Sequence, residues 1–249
     1  RDVDAIRRMC SETKAALGGI DVLVNNAGMI RPAFTLDVDD DTWDEHFAIN
    51  VKANFIICKE FLPVMIDQGK GGRVINIGSV NSFVATKGIG GRHYETAKAA
   101  VVNFTRATAV DWAPHHITVN AICPGGFMTA PNQRWAKETP EMVENFQSQV
   151  PLGKFGEPED LGPLAVYLAS DAARYVTGAA ILIDGGYRNG ISVIAVQQLL
   201  VEHSIVRNTF GTDPEAVSSC FLIEHDAAQR RVGLLRPQLS VGSGLRGWI

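Results

Sequence analysis

Residues 21–28 read DVLVNNAG, and this stretch gives the first indication of the fold. Positions 20–24 are short, apolar and rich in β-branched residues on both faces, which is typical of a strand inside a parallel sheet. Small and amide-bearing residues follow at 25–28, where the strand ends and a ligand can approach the backbone. A plain asparagine-glycine turn also explains these letters. The stretch therefore predicts an interior strand, and it leaves a binding edge as one of two interpretations.

Apolar residues outside this stretch alternate between helical and strand spacing along the chain. Helices are predicted at 4–17, 42–68, 94–112 and 161–170, and further strands at 73–79, 117–122 and 179–184. Strands that alternate with helices indicate an α/β fold with a doubly wound parallel sheet. Residues 127–156 are polar with helical pieces, which fits a mobile flap beside a site or an ordinary surface excursion.

Composition excludes several classes of protein. The chain has 249 residues, 46% of them hydrophobic, and a net charge of −4 without a Lys/Arg stripe, which argues against a nucleic-acid partner. No apolar run reaches the roughly 18 residues that a membrane helix needs. Cys10, Cys58, Cys123 and Cys220 lack metal-ligand spacing, so we expect reduced thiols, a cytoplasmic protein and no metal site.

Tyr94 and Lys98 are four residues apart, so they share one face of a predicted helix and can act on one bound molecule. A free tyrosine ionises near pH ~10, and a cation one turn away is expected to lower that pKa toward the working range of a base. An exposed helix face is the alternative for the bare pair. The pair predicts a proton-transfer site where other polar residues join it.

Three other places carry polar or small residues in unusual settings. Asn50 lies inside a predicted helix, where asparagine costs helix propensity, so it is either a tolerated surface residue or one that must meet a partner. Ser79 ends a predicted strand, as a turn hydroxyl or a catalytic one. Pro124-Gly125-Gly126 stop another strand at the edge where α/β sheets bind ligands.

In this order along the chain, these motifs resemble those of the short-chain dehydrogenase/reductase family from residue 2 to about 187. The matching letters are NNAG at 25–28, Asn50, Ser79, Tyr94 with Lys98, PGGFMT at 124–129 and IDGG at 183–186. The likeness extends to gluconate 5-dehydrogenase-like and other sugar or polyol dehydrogenases. It implies a Rossmann-type fold, NAD or NADP as cofactor, and hydride transfer between a secondary alcohol and a ketone.

The resemblance also implies a role for each matching residue. Tyr94 is the expected general acid/base, Lys98 its pKa partner and ribose contact, Ser79 the donor to the substrate oxygen, and Asn50 the anchor of a relay water. The cofactor is expected to meet Tyr94 and Lys98 together with Asp2, Val3, Asn26, Ala27, Gly28, Pro124, Gly125 and Thr129. The expected substrate contacts are Ser79, Asn81, Arg92 and His93.

The resemblance implies small-molecule substrates and a homodimer or homotetramer built through the long helices at 42–68 and 94–112. A sugar acid, sugar or polyol is the expected substrate, because polar side chains flank the catalytic residues. A 3-oxoacyl-thioester reductase is the alternative within the same family. A catalytically inactive fragment is the alternative of a different class.

Two stretches depart from the family pattern. The family opens with a strand, a glycine-rich turn and a helix that hold the pyrophosphate, and this sequence begins after them, so we expect weak cofactor binding and an exposed apolar flank of the sheet. The residue that selects NAD or NADP is also not in this sequence. We expect a partial Rossmann-type catalytic domain at 1–187. The tail at 188–249, with arginine but no lysine, is either a segment that pairs with the exposed sheet or a gene-model or splicing artefact without selected structure.

Overall fold

The structure is a computed structural model that describes residues 2–85 and 90–187. The helices are α1 (Val3–Leu17), α2 (Asp40–Phe47), α3 (Ala53–Gln68), α4 (Arg92–Trp112), α5 (Ala130–Glu138), α6 (Pro140–Ser148) and α7 (Gly162–Ala169). The strands are β1 (Val22–Asn25), β2 (Gly72–Ile77), β3 (Ile117–Pro124) and β4 (Ala180–Ile183). The predictions for the tail at 188–249 lie outside the described residues.

The four strands form one parallel sheet in the order β1-β2-β3-β4. Leu23 lies opposite Val74, and Val74 lies opposite Val119, so apolar side chains meet across neighbouring strands. Val74 belongs to a core cluster with residues of α1 and α3, while the adjacent Ile75 packs in a cluster with Leu168 of α7. Because successive side chains of a strand point to opposite faces, helices cover both faces. The predicted α/β class with a doubly wound parallel sheet is confirmed.

Helix α1 shows how local chemistry sets the element bounds. Asp2 precedes the helix, and its Oδ1 accepts a hydrogen bond of 2.9 Å from the backbone N–H of Ala5. Gly18 follows with φ 67°, a left-handed conformation that glycine adopts without strain, and its N–H donates to the carbonyl of Lys14. Both helix ends fall within a residue of the predicted ones.

The predicted long helix at 42–68 consists of three segments. Between α2 and α3, residues Ala48–Lys52 form a π-helical turn, which is wider than an α-helical turn and often marks a functional position. Asn50 lies in this turn and is fully buried. The apolar pattern predicted the helix, but the widened turn depends on contacts that Asn50 makes elsewhere in the fold.

Strand β1 lies at the edge of the sheet in the described part of the chain, which corrects the predicted interior position. Leu23 and Asn25 are buried, whereas Val22 and Val24 are 40% and 48% exposed. Its apolar letters suit two covered faces, but only one face is covered by described residues. The expected exposed apolar flank is therefore present at β1.

Residues 127–156 hold α5 and α6, in agreement with the predicted helical pieces. Val143, Val150 and Phe155 form a small core of their own, and the ring of Phe146 packs edge-on against Phe155. The bridge between Phe127 and Gly156 joins the first and last residues of this segment. No helix in the described residues has the length and apolarity required to cross a membrane.

Candidate active site

Tyr94 and Lys98 lie near the start of α4, one helical turn apart. Ser79 follows the carboxyl end of β2 and is buried, and its side chain is near enough to the Tyr94 phenol to lower the pKa of that phenol. Lys98 Nζ lies 5.8 Å from the centroid of the Tyr94 ring and donates a 2.7 Å hydrogen bond to the carbonyl of Ile77. The phenol, the hydroxyl and the ammonium therefore come together at one edge of the sheet.

Burial governs the charge of this pair. It lowers the pKa of Lys98 to about 8, although the nearby Cys123 counteracts part of that change. Burial also raises the pKa of Tyr94, against the opposing effect of the Ser79 side chain. The sequence predicted that a cation would lower the pKa of Tyr94, and in the structure the net direction is opposite. Desolvation outweighs the other contributions because both groups are enclosed by protein.

Asn50 fastens the loop that follows β1. Its Nδ2 donates to the carbonyl oxygens of Met29 and His46, each at 3.0 Å, and its Oδ1 accepts from the Met29 N–H at 3.1 Å. The side-chain amide is thus occupied by backbone groups on both sides. Asn50 positions this loop, and the amide group has its partners within the protein.

Gly28 packs against Asn50 and Lys98 with no room for a side chain. A Cβ at this position would lie 2.9 Å from Asn50 Oδ1 and 3.3 Å from Lys98 Nζ, which is closer than ordinary contacts allow. Asn26, Ala27 and Gly28 are all exposed directly after β1. Exposed backbone beside a lysine ammonium at the carboxyl edge of a parallel sheet can approach a bound ligand closely. Of the residues predicted at 26–28 to meet the cofactor, Gly28 lies next to Lys98.

The end of β3 borders the same site. Cys123 is fully buried and affects the pKa of both Tyr94 and Lys98. The next residues, Pro124 and Gly125, lead away toward β4, where a Cβ at Gly125 would come within 2.7 Å of the Asp184 backbone. Sequence reasoning missed Cys123, since a lone cysteine in an apolar strand carries no signal of its own.

Other predicted contacts have roles in the fold. Thr129 precedes α5 as its N-terminal flanking residue, and its carbonyl accepts the N–H of Gln133. Asp2 caps α1 through its carboxylate, and the partly buried Val3 is the first residue of that helix. These positions remain predictions for cofactor binding.

The predicted substrate residues divide into two groups. The Asn81 N–H donates to Ser79 Oγ at 3.1 Å, so Asn81 lies next to the Ser79 hydroxyl. Arg92 forms a 2.6 Å ion pair with Glu95, and the buried His93 contacts the ring of His46 at a centroid distance of 4.1 Å. Positions 92 and 93 precede Tyr94 by 200° and 100° around a helix. They therefore belong to other faces of α4 than Tyr94 does.

A buried polar chain that sequence reasoning missed ties the site to the sheet. Asn25 Nδ2 donates to Asn76 Oδ1 at 2.8 Å, and Asn76 Nδ2 donates to Thr105 Oγ1 at 2.9 Å. The chain runs from β1 through β2 to α4 and so fixes the relative positions of these three elements. An asparagine inside the apolar strand at 73–77 was the available signal, because a buried amide requires partners.

Comparison with known proteins agrees with this geometry. A family model described as enoyl-(acyl carrier protein) reductase matches residues 1–188. A 2-dehydro-3-deoxy-D-gluconate 5-dehydrogenase from Dickeya dadantii is 37% identical over 186 residues, which cover 75% of this chain and 72% of the relative. A 3-oxoacyl-[acyl-carrier-protein] reductase from Aquifex aeolicus is 35% identical over 183 residues, 74% of this chain and 71% of the relative.

A solved structure of a short-chain dehydrogenase/reductase is also similar to this chain. A short-chain type dehydrogenase/reductase from Mycobacterium marinum has a TM-score of 0.71 and 36% identity, covering 76% of this chain and 72% of that one. The likeness includes the order of strands and helices on which the candidate site is built. The chain therefore belongs to the short-chain dehydrogenase/reductase family of oxidoreductases.

Proposed function

We propose that the protein interconverts a secondary alcohol and a ketone with NAD or NADP, and that its substrate is a sugar acid, a sugar or a polyol. The observation that carries this proposal is the place of Tyr94 and Lys98 on one turn of α4, with Lys98 Nζ 5.8 Å from the centroid of the phenol ring and the buried Ser79 acting to lower the pKa of the phenol. Family membership and the exposed backbone at positions 26–28 support the choice of cofactor.

The chemistry requires a group that moves a proton and a group that stabilises charge on the reacting oxygen. Tyr94 holds the proton that leaves the alcohol or enters the ketone, and Ser79 donates a hydrogen bond to that oxygen. A bound nicotinamide supplies the acceptor or donor of the hydride. The protein holds the reacting groups in place and excludes most water, since Ser79 and Lys98 are only 7% and 4% exposed.

Lys98 and the loop after β1 would hold the ribose half of the cofactor. The ammonium of Lys98 is charged below its pKa of about 8, and it lies beside the bare backbone of Gly28. Asn50 keeps that loop in place through its bonds to Met29. We further propose that Asp2, Val3, Pro124, Gly125 and Thr129 line the remainder of the cofactor site.

The relatives support the substrate class. The matches include a dehydrogenase of a deoxygluconate derivative, and Asn81 offers a polar side chain next to Ser79. A 3-oxoacyl-thioester reductase is the second candidate, because a reductase of acyl carrier protein substrates is 35% identical. Activity assays over sugar acids, polyols and 3-oxoacyl thioesters distinguish the two candidates.

We propose assembly into a homodimer or homotetramer through α3 and α4, in the cytoplasm. Phe55 on α3 and Val110 on α4 are 51% and 75% exposed, which leaves apolar surface for a second copy. Among the described residues, Cys10, Cys58 and Cys123 are buried thiols that form no disulfide, which supports a reducing compartment. Light scattering that finds a monodisperse monomer would contradict the assembly.

The decisive experiment combines binding with one substitution. Titration of the purified chain with NADH and NADPH, followed by reduced-nicotinamide fluorescence, measures the affinity for each cofactor. We expect Tyr94→Phe to abolish turnover and nearly keep that affinity, because only the phenolic hydroxyl is removed. Tyr175→Phe is the matched control, since Tyr175 is 94% exposed. Turnover retained in Tyr94→Phe would remove this tyrosine from the mechanism.

Cofactor affinity tests the remaining alternative. Saturation in the micromolar range supports an enzyme, whereas absence of binding up to millimolar cofactor supports an inactive fragment.

A further inference from the structure

The backbone of Arg31 is held from both sides by imidazole rings. Its N–H donates to His46 Nε2 at 3.1 Å, and its carbonyl oxygen lies 3.0 Å from His93 Nε2. His46 and His93 are 0% and 1% exposed, and their rings meet edge to face with centroids 4.1 Å apart. We call this arrangement of His46, His93 and Arg31 the histidine clamp.

The hydrogen bonds determine which nitrogen of each ring carries a proton. His46 Nε2 accepts from Arg31, so its proton is on Nδ1, which lies 2.7 Å from the Thr42 carbonyl and donates to it. His93 Nε2 faces a carbonyl and therefore carries the proton. His93 Nδ1 is buried without a hydrogen-bond partner. Each ring thus holds one proton, and both rings are neutral.

The histidine clamp is connected to the catalytic residues. Arg31 ends the loop 28–31, which begins at Gly28 beside Lys98. The same loop is held by Asn50, whose Nδ2 also donates to the carbonyl of His46. His93 directly precedes Tyr94 on α4. The histidine clamp therefore ties loop 28–31 to the element that carries the proton-transferring phenol.

We propose that His46 and His93 are positioning residues that hold loop 28–31 against the start of α4 while both rings are neutral, and that protonation of either ring releases the loop and weakens cofactor binding. This inference rests on the proposed function, since it regulates the same site. Neither ring is assigned a step in the reaction.

A gained proton conflicts with this geometry differently at the two rings. At His46, a proton on Nε2 would set two N–H donors against each other. At His93, the added proton would lie on Nδ1, and the conflict is the enclosure of the charge beside the His46 ring. The pKa of His93 is lowered chiefly by burial and further by His46, while the Arg31 carbonyl and Glu95 act in the opposite direction. His93 is therefore expected to become charged only on acidification below the ordinary imidazole range, near pH ~6.5.

Several charged side chains lie near the two imidazole rings of the clamp. The nearest carboxylate is Glu95 on α4, which pairs with Arg92. The side chain of Arg31 pairs with Glu45 at 3.0 Å. Asp39 and Asp40, at the start of α2, line a cavity together with His93. These carboxylates favour a protonated ring, and burial opposes them.

A matched pair of variants tests the inference. Gln in place of His93 supplies an amide donor for the Arg31 carbonyl and does not titrate, whereas Leu supplies neither a donor nor a charge. At pH 7.5 we expect His93→Leu to raise the cofactor KM by about tenfold, as the loss of one hydrogen bond implies, with a smaller change in kcat. His93→Gln should remain within about threefold of wild type and show a flatter rise in KM between pH 7 and 5. His115→Gln, at an exposed position, is the control.

Nuclear magnetic resonance of ¹⁵N-labelled imidazoles tests the clamp without any turnover. At pH 7.5 one histidine should carry its proton on Nδ1 (His46) and one on Nε2 (His93), and the His93 ring should still be neutral below pH 6. Titration of the His93 ring in the ordinary range, or the same pH profile of KM in His93→Gln and wild type, would overturn the inference. If the wild-type chain has no turnover, the proposed function fails, and the resonances still decide the clamp. Circular dichroism identifies a Leu variant that does not fold, and the Gln variant then carries the kinetic test.

Discussion

Replacement of Lys98 by Met should reveal the energetic cost of burying the Lys98 ammonium. Lys98 is 4% exposed, and burial lowers its pKa from 10.5 to about 8. At 1.36 kcal/mol per pKa unit, the charge costs the folded state about 3 kcal/mol at neutral pH. Between pH 8 and 10.5 the unfolded chain binds more protons than the folded one, so the stability of wild type rises with pH across that window.

Met has a similar length and no charge, so the variant lacks this pH dependence. The lost hydrogen bond to Ile77 also affects stability, but by an amount that does not change with pH. The difference in unfolding free energy between Lys98→Met and wild type should therefore move by roughly 2 kcal/mol in favour of wild type from pH 7 to 9.5. Turnover should be lost at every pH.

Urea denaturation at a series of pH values from 6.5 to 9.5 measures this difference. Other groups that titrate in this range contribute equally to both proteins and cancel. Lys52→Met, at an exposed position, controls for the loss of a lysine charge as such. Parallel curves for Lys98→Met and wild type would refute the desolvation of Lys98, and with it the electrostatic description of the site.

Two further substitutions and one labelling experiment test the surroundings of the site. Gly28→Ala should lower the free energy of unfolding, measured in urea, by about 1–3 kcal/mol, because the new Cβ would lie 2.9 Å from Asn50 Oδ1. Three hydrogen bonds hold the Asn50 side chain in place, so it cannot easily move away. Unchanged stability would contradict the short distance between Gly28 and Asn50. Asn76→Ala should cost about 1–3 kcal/mol in the same assay, since the buried amide of Asn25 loses its 2.8 Å partner, and a neutral result would mean that this bond is not formed. Cys58, whose pKa burial raises to about 11, should resist iodoacetamide at pH 8 in the folded protein, as peptide mass mapping would show; rapid labelling would contradict its burial.

Much of the fold follows from local patterns. The apolar, β-branched stretches at 20–24, 73–79 and 117–122 predict strands, and glycine after α1 predicts a helix end, because these signals act within a few residues. The widened turn at Ala48–Lys52 does not follow from such signals. It forms where Asn50 meets Met29, a residue 21 positions away in the chain.

The candidate site likewise has features that local patterns predict and features that they do not. Spacing alone placed Tyr94 and Lys98 on one face of α4, and strand ends alone brought Ser79 and Gly28 to one edge of the sheet. The direction of the Tyr94 pKa could not be read from letters, because it depends on how much water the surrounding chain excludes.

The sequence by itself determined the order of strands and helices and placed Tyr94 and Lys98 on one helix face, since spacing along one element decides which side chains share a face. Tertiary structure decided the rest: the exposed face of β1, the place of Cys123 beside Tyr94 and Lys98, and the turn of His93 away from Tyr94 toward Arg31. Each of these depends on segments far apart in the chain that become neighbours only on folding, and no local pattern records which neighbours those are.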